Sequence, residues 1–187
     1  MKLTLASKSP RRLALLRAIG IDVSVSPVDC DERRLDGEAP RAMVERLAVE
    51  KSRLLETAPE VLVVAADTVV ALGNVVFGKP ADEQAAVDTL RTLSGKTHEV
   101  LTGYCVRAGA HIQSGVVDTQ VTFRNLTEEE ISAYVATGEC FDKSGAYGIQ
   151  GDGGALTLRI HGSYTNVVGL PMDEVLTGIK RIRRFVP

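Results

Sequence analysis

Polar and apolar positions recur along this chain with two different periods, and the alternation between them gives an order of elements. Lys2 to Ala6 alternates like a short strand. Ser9-Pro10 then sets a capping hydroxyl and a first-turn proline ahead of a helix-periodic run through Ile19. Asp22 to Val25 predicts a second short strand, and Asp29 to Ala39 is polar enough to be a surface loop. Pro40 restarts a helix in which Met43, Leu47, Leu54 and Leu55 stand near helical spacing with charges between them. Val61 to Ala66 is a continuous apolar run, the pattern of a strand buried on both faces. Gly73-Asn74, between Val69-Val70 and Val75-Val76, predicts a hairpin turn, and Pro80 opens another helix over Asp82 to Leu93.

From Thr97 to Phe123 the period is that of two long strands separated by Ala108 to Ala110, an antiparallel pair. Thr127, followed by Glu128, Glu129 and Glu130, caps a helix that runs to about Thr137. A glycine-rich stretch, Gly145 to Gly154, precedes a strand over Ala155 to Ile160, and a last helix spans Met172 to Arg184. Strands and helices interleaved in this way predict an α/β fold with a mixed sheet and flanking helices. No repeat or low-complexity segment interrupts it.

With 187 residues, 44% of them hydrophobic and 25% charged, the chain reads as one domain over residues 1–187. Its longest apolar runs fall far short of the ~20 residues a membrane helix needs, which predicts a cytoplasmic protein without a membrane partner. Cys30, Cys105 and Cys140 are widely spaced and form no paired motif, which argues against a disulfide framework or a zinc site. A net charge of -2 offers no general attraction for a polyanion. Any phosphate must therefore meet a local cluster of cations, and the search moves from nucleic acid to small ligands.

Four segments carry candidate chemistry. Ser7-Lys8-Ser9-Pro10-Arg11-Arg12 joins a helix N-terminus to two guanidinium groups, which suits a phosphate; a capped helix with solvated arginines explains it equally well. Asp67, with Thr68, follows six apolar residues, so it is expected at a strand end facing a crevice, with a metal or a cation as its partner. Asp31-Glu32 adds carboxylates from the polar loop, and Lys51, Lys79 and Lys96 matter only if they converge. Lys143 to Gly151, which contains Tyr147 and Gln150, is too apolar for a linker and too rich in glycine for a regular helix or strand, and such backbone lets a ligand approach closely. The basic end Lys180, Arg181, Arg183 and Arg184 is explained by the dipole of the last helix.

Taken together, these segments resemble the Maf family of nucleoside triphosphate pyrophosphatases. The likeness runs through Leu5-Ala6-Ser7-Lys8-Ser9-Pro10-Arg11-Arg12, Glu50-Lys51, Ala66-Asp67-Thr68-Val69-Val70, Gly78-Lys79-Pro80, Ser94-Gly95-Lys96-Thr97-His98, Lys143 to Gly151 and Gly162 to Pro171. The resemblance implies two lobes around a central cleft, an architecture related to inosine triphosphatase, and hydrolysis between the α and β phosphates. It is nearest to the branch acting on dTTP and UTP, in which Arg11, Thr68 and Gln150 influence base choice and Asp67 is the proton acceptor. A homodimer would match the family.

On this reading Asp67, Glu32, Lys51 and Lys79 carry the catalysis. Ser7, Ser9, Arg11, Arg12, Thr68, Lys96, Lys143, Tyr147 and Gln150 contact the substrate. A divalent cation, magnesium or manganese, is expected on Glu32 and Asp67, since such ions take oxygen ligands and pair with phosphates. Asp31 is one methylene shorter than glutamate, so Glu32 is the metal-facing choice. The rival readings are a nucleotide-binding regulator of cell division that cleaves nothing and a phosphatase that releases orthophosphate.

Overall fold

The computed structural model describes residues 2–185, and the expected elements stand in it in the expected order. Strand β1 (Leu3–Leu5), helix α1 (Pro10–Ala18), strand β2 (Val23–Val25) and helix α2 (Pro40–Leu54) lead to the long strand β3 (Leu62–Leu72). Strand β4 (Val75–Phe77), helix α3 (Glu83–Leu93), strands β5 (Thr97–Ala108) and β6 (His111–Phe123) and helix α4 (Glu128–Ala136) follow. The chain then runs through β7 (Thr157–His161), α5 (Tyr164–Val168) and α6 (Met172–Ile182).

Four expectations change. Strand β3 does not stop at Ala66: the apolar run resumes at Val69, the strand continues to Leu72, and Asp67 lies in mid-strand. Helix α3 starts after Asp82, whose carboxylate caps the Ala85 amide, so Pro80 lies ahead of the helix. The glycine-rich stretch winds into two short 3-10 turns, Ser144–Ala146 and Asp152–Leu156. Helix α5 was not expected.

Among the described residues, the strands form a seven-stranded sheet in the order β2-β1-β3-β5-β6-β7, with β4 paired to β3. β1 runs parallel to both β2 and β3, because a helix, α1 or α2, crosses over before each return. β3 and β4 are antiparallel through the Gly73-Asn74 turn, and β6 and β7 are antiparallel.

The chain divides into two compact units. Unit 1 holds the chain up to Asp67, Thr102–Val117 and the chain from Gly169; unit 2 holds Thr68–Leu101 and Asp118–Val168. The two faces of β3 in unit 1 follow from the two-residue period of a strand. Leu62, Val64 and Ala66 join Leu3, Leu5, Val106, Val175 and Ile179 in the main core, whereas Val63 and Ala65 face the other way, with Ala6, Val28 and Leu55. Asp67 shares the parity of Val63 and Ala65. In unit 2 the core gathers Leu90 and Leu93 of α3, Phe123 of β6, Ile131 and Tyr134 of α4, and Tyr147.

Helix α2 lies very close to β5. A Cβ built at Gly103 would stand 2.0 Å from the Val44 carbonyl oxygen, so only glycine allows this approach. Gly103→Ala must push the helix off the strand, and overpacking of this kind should cost about 2–3 kcal/mol. Urea denaturation checks this; wild-type stability in the variant would show that the helix seats elsewhere.

Candidate active site

Lys51 is placed by the helical period. Along α2 the buried positions are Met43, Val44, Leu47, Ala48, Lys51 and Ser52, so the lysine occupies the core-facing stripe. Leu54, read from the sequence as part of that stripe, is 53% exposed. Lys51 and Asp67 are both buried, and Lys51 Nζ stands 2.6 Å from Asp67 Oδ1 and 2.6 Å from Glu32 Oε1. The alternatives left open for Asp67, a metal or a cation, therefore include this cation. Burial alone pulls the lysine's pKa down, yet the pull of Asp67 and then Glu32 outweighs it, and the net shift is upward. An ammonium in such a place stays charged.

Glu32 comes from the polar loop, and Arg46 fixes that loop to α2. The Arg46 guanidinium reaches Glu38 Oε1 and Oε2 at 2.7 and 2.8 Å, the Arg33 carbonyl at 3.1 Å and Glu50 Oε2 at 3.1 Å. Glu38 is held down to about pKa 2, first by the Arg46 hydrogen bonds. Asp31 turns away and forms a paired contact with Arg33 at 2.6 and 2.9 Å, which leaves Glu32 as the loop carboxylate on Lys51. Arg46 could not be singled out from sequence, where it is one more charge on a charged helix.

The turn before α1 is built around two serines. Ser9 accepts from the Arg12 amide at the helix cap, and Ser7 Oγ accepts from the Ser9 amide at 3.2 Å. Arg12 folds back over this turn. Its Nη1 donates to the Ala66 carbonyl at 2.8 Å and to Ser7 Oγ at 3.1 Å, and its Nε donates to the Gly169 carbonyl at 2.7 Å. The side chain expected to clamp phosphate thus straps together three stretches of unit 1, one of them next to Asp67. Desolvation lowers its pKa, against the attraction of Asp67. Arg11 is half-buried, and Lys8 is exposed and paired with Asp29 at 2.6 Å.

Unit 2 carries the other candidates. Thr68 is half-buried on β3, while Lys79, Lys96 and Gln150 are exposed. Lys143 bends back to the Glu139 carbonyl and to Asp142 Oδ1 at 2.6 Å. Tyr147, expected at the substrate, is a core residue: its ring packs edge-on to Phe123 and its hydroxyl lies 2.9 Å from His98 Nε2. His98 is this tyrosine's buried partner. Ser144 donates to the Phe77 carbonyl at 2.5 Å and accepts from the Val70 amide at 3.1 Å, joining the loop to β3 and β4.

A divalent ion fits the donors of Glu32 and Asp67 in kind, since both are hard carboxylate oxygens on one ammonium. Among the described residues no cluster of three or more His, Cys, Asp or Glu side chains forms a ligand set. An ion held by Glu32 and Asp67 would fill the rest of its shell with other oxygens, including water and phosphate oxygens, as magnesium does at phosphoryl sites.

A family model described as Maf-like protein matches residues 2–182. A dTTP/UTP pyrophosphatase of Anaeromyxobacter dehalogenans (strain 2CP-C) is 50% identical over 184 residues, covering 96% of this chain and 93% of its own. A dTTP/UTP pyrophosphatase of Escherichia coli O157:H7 is 47% identical over 174 residues, covering 92% of this chain and 88% of its own. Among solved structures, a nucleoside-triphosphatase / dITP/XTP pyrophosphatase from Mycobacterium abscessus shares 15% identity over 99% of this chain and 97% of that one, with a TM-score of 0.46.

Removing the ammonium leaves Asp67 buried without its cation. Lys51→Met should lose about 2–3 kcal/mol at neutral pH, below the full cost of breaking a buried pair because Glu32 stays half in water. Adding Asp67→Asn to it should recover part of that loss. Thermal and urea unfolding of the single and double variants measure the coupling, and additive losses would mean the pair is not one unit.

Proposed function

The chain belongs to the Maf family, and from that premise we propose that it hydrolyses nucleoside triphosphates, dTTP and UTP foremost, to the monophosphate and pyrophosphate. The relatives' activity supports the reaction, and the Lys51 contact with Asp67 and Glu32 supports the residues. This contact is the observation on which the assignment rests: a buried carboxylate against a buried ammonium, its strand backbone fixed by Arg12.

The chemistry required is modest. Water adds to the α phosphorus, the bond from that phosphorus to the oxygen bridging the β phosphate breaks, and its electron pair leaves on pyrophosphate. Asp67 accepts the water's proton, and no covalent enzyme intermediate forms. Lys51 holds the carboxylate in place, 2.6 Å from its ammonium nitrogen. Lys79 and Lys96 are exposed cations with the right charge for the phosphates, and Arg11 adds a guanidinium at the first turn of α1. Arg11, Thr68 and Gln150 are assigned to base choice. Magnesium or manganese, when bound on Glu32 and Asp67, would neutralise charge on the phosphates.

The substrate is a free nucleotide, in keeping with the small net negative charge, and we place the enzyme with its substrates in the cytoplasm. No helix among the described residues is long and apolar enough to cross a membrane.

Incubation of the protein with dTTP, UTP, CTP and GTP plus magnesium or manganese, followed by product analysis, tests the reaction and the base preference together. Monophosphate and pyrophosphate from dTTP and UTP are expected. Orthophosphate would mean a phosphatase, and bound but intact nucleotide a regulator. Asp67→Asn should lower kcat by roughly a hundredfold or more with nucleotide binding retained; wild-type turnover would remove Asp67 from its role.

A further inference from the structure

The glycine-rich loop of unit 2 is held from inside by two residues that the proposed reaction does not use. Tyr134 on α4 accepts a hydrogen bond from the Gly148 amide at 3.1 Å and donates to Glu139 Oε1 at 3.2 Å. Glu139 Oε2 accepts from the Asp152 amide at 3.0 Å, and the Glu139 carbonyl accepts from Lys143 Nζ. One phenol and one carboxyl group therefore grip the backbone on both sides of Gln150. Packing is equally tight: a Cβ at Gly153 would meet the Gly148 carbonyl oxygen at 2.4 Å and the Tyr134 hydroxyl at 2.8 Å. Burial raises the Tyr134 pKa, so the phenol keeps the proton it donates to Glu139.

We propose that Tyr134 and Glu139 are positioning residues for nucleotide recognition, fixing the loop that presents Gln150 without touching the nucleotide themselves. The inference rests on the functional reading above, in which Gln150 helps choose the base. Gln150 is exposed on a loop, so its direction depends on the amides at either end of this short span. Loosening either anchor leaves the Lys51–Asp67 contact intact, because none of the bonds made by Tyr134 and Glu139 involves those residues. The effect should fall on binding and discrimination rather than on the chemical step.

Tyr134→Phe keeps the ring in the core and deletes the hydroxyl; Glu139→Gln keeps the shape and leaves one acceptor oxygen where there were two. Steady-state kinetics with dTTP and CTP, each with magnesium, should show KM for dTTP raised about tenfold in either variant, with kcat within about threefold and the preference for dTTP over CTP reduced by about fivefold or more. A merely structural role would lower the amount of folded enzyme and leave KM and the preference unchanged, and that result overturns the proposal. If wild type cleaves none of the triphosphates, the functional reading fails; if wild type cleaves and the variants match it, only the positioning role fails. Should a variant not fold, hydrogen exchange on the wild-type protein decides. The Gly148 and Asp152 amides must be strongly protected before any nucleotide is added, and fast exchange at both contradicts an inner anchor.

Discussion

Unit 1 is organised around a buried ammonium between two carboxylates. Lys51 stands where the helical period of α2 calls for an apolar side chain, and Asp67 stands on a strand face otherwise made of Val63 and Ala65. Neither charge is tolerable alone in that setting, since an isolated ion loses several kcal/mol of hydration. Their contact offsets part of that cost and ties α2 to β3 at one point. The close passage of α2 over Gly103 fixes the height of the helix, Arg46 fixes the loop that brings Glu32, and Arg12 fixes the carbonyl just before Asp67. Three separate stretches thus converge on one nitrogen atom.

Much of the fold was legible because its signals are local. Ser9-Pro10 before α1, the Thr127–Glu130 capping box and the Gly73-Asn74 turn each satisfy backbone groups within a few residues, so their meaning survives without tertiary context. The extent of β3 was not legible in the same way. Asp67-Thr68 looks like an ending, and only the partner on α2, sixteen residues earlier, makes a charge acceptable in mid-strand. The same partner explains why the lysine stripe was missed. Leu54 seemed the natural continuation of Met43 and Leu47, whereas the buried line passes through Lys51 and Ser52.

The site candidates divide by the same logic. Residue type named the cations, but not which of them the protein itself consumes. Arg12 is used on backbone carbonyls, Lys143 on Glu139 and Asp142, and Tyr147 on His98, while Lys79 and Lys96 remain exposed. Nothing in a sequence pattern distinguishes an arginine aimed at a carbonyl from one aimed at a phosphate, because both use the same planar donors. Arg46, Tyr134 and Glu139 were invisible for a related reason: their importance lies in the backbone amides and carbonyls they hold, which carry no side-chain signature.

Lys51 is a charged, water-excluded group held by Asp67 and Glu32. Nitrogen-15 NMR of its side chain over a pH titration tests this directly. A raised pKa means the ammonium and its stabilising contact persist below the ordinary lysine value, about 10.4, and are lost only as pH climbs through the higher folded value. A slowly exchanging Nζ ammonium signal is expected, still present above that pH and shifted by Asp67→Asn. A rapidly exchanging signal that titrates at or below the ordinary value, indifferent to Asp67, would contradict it.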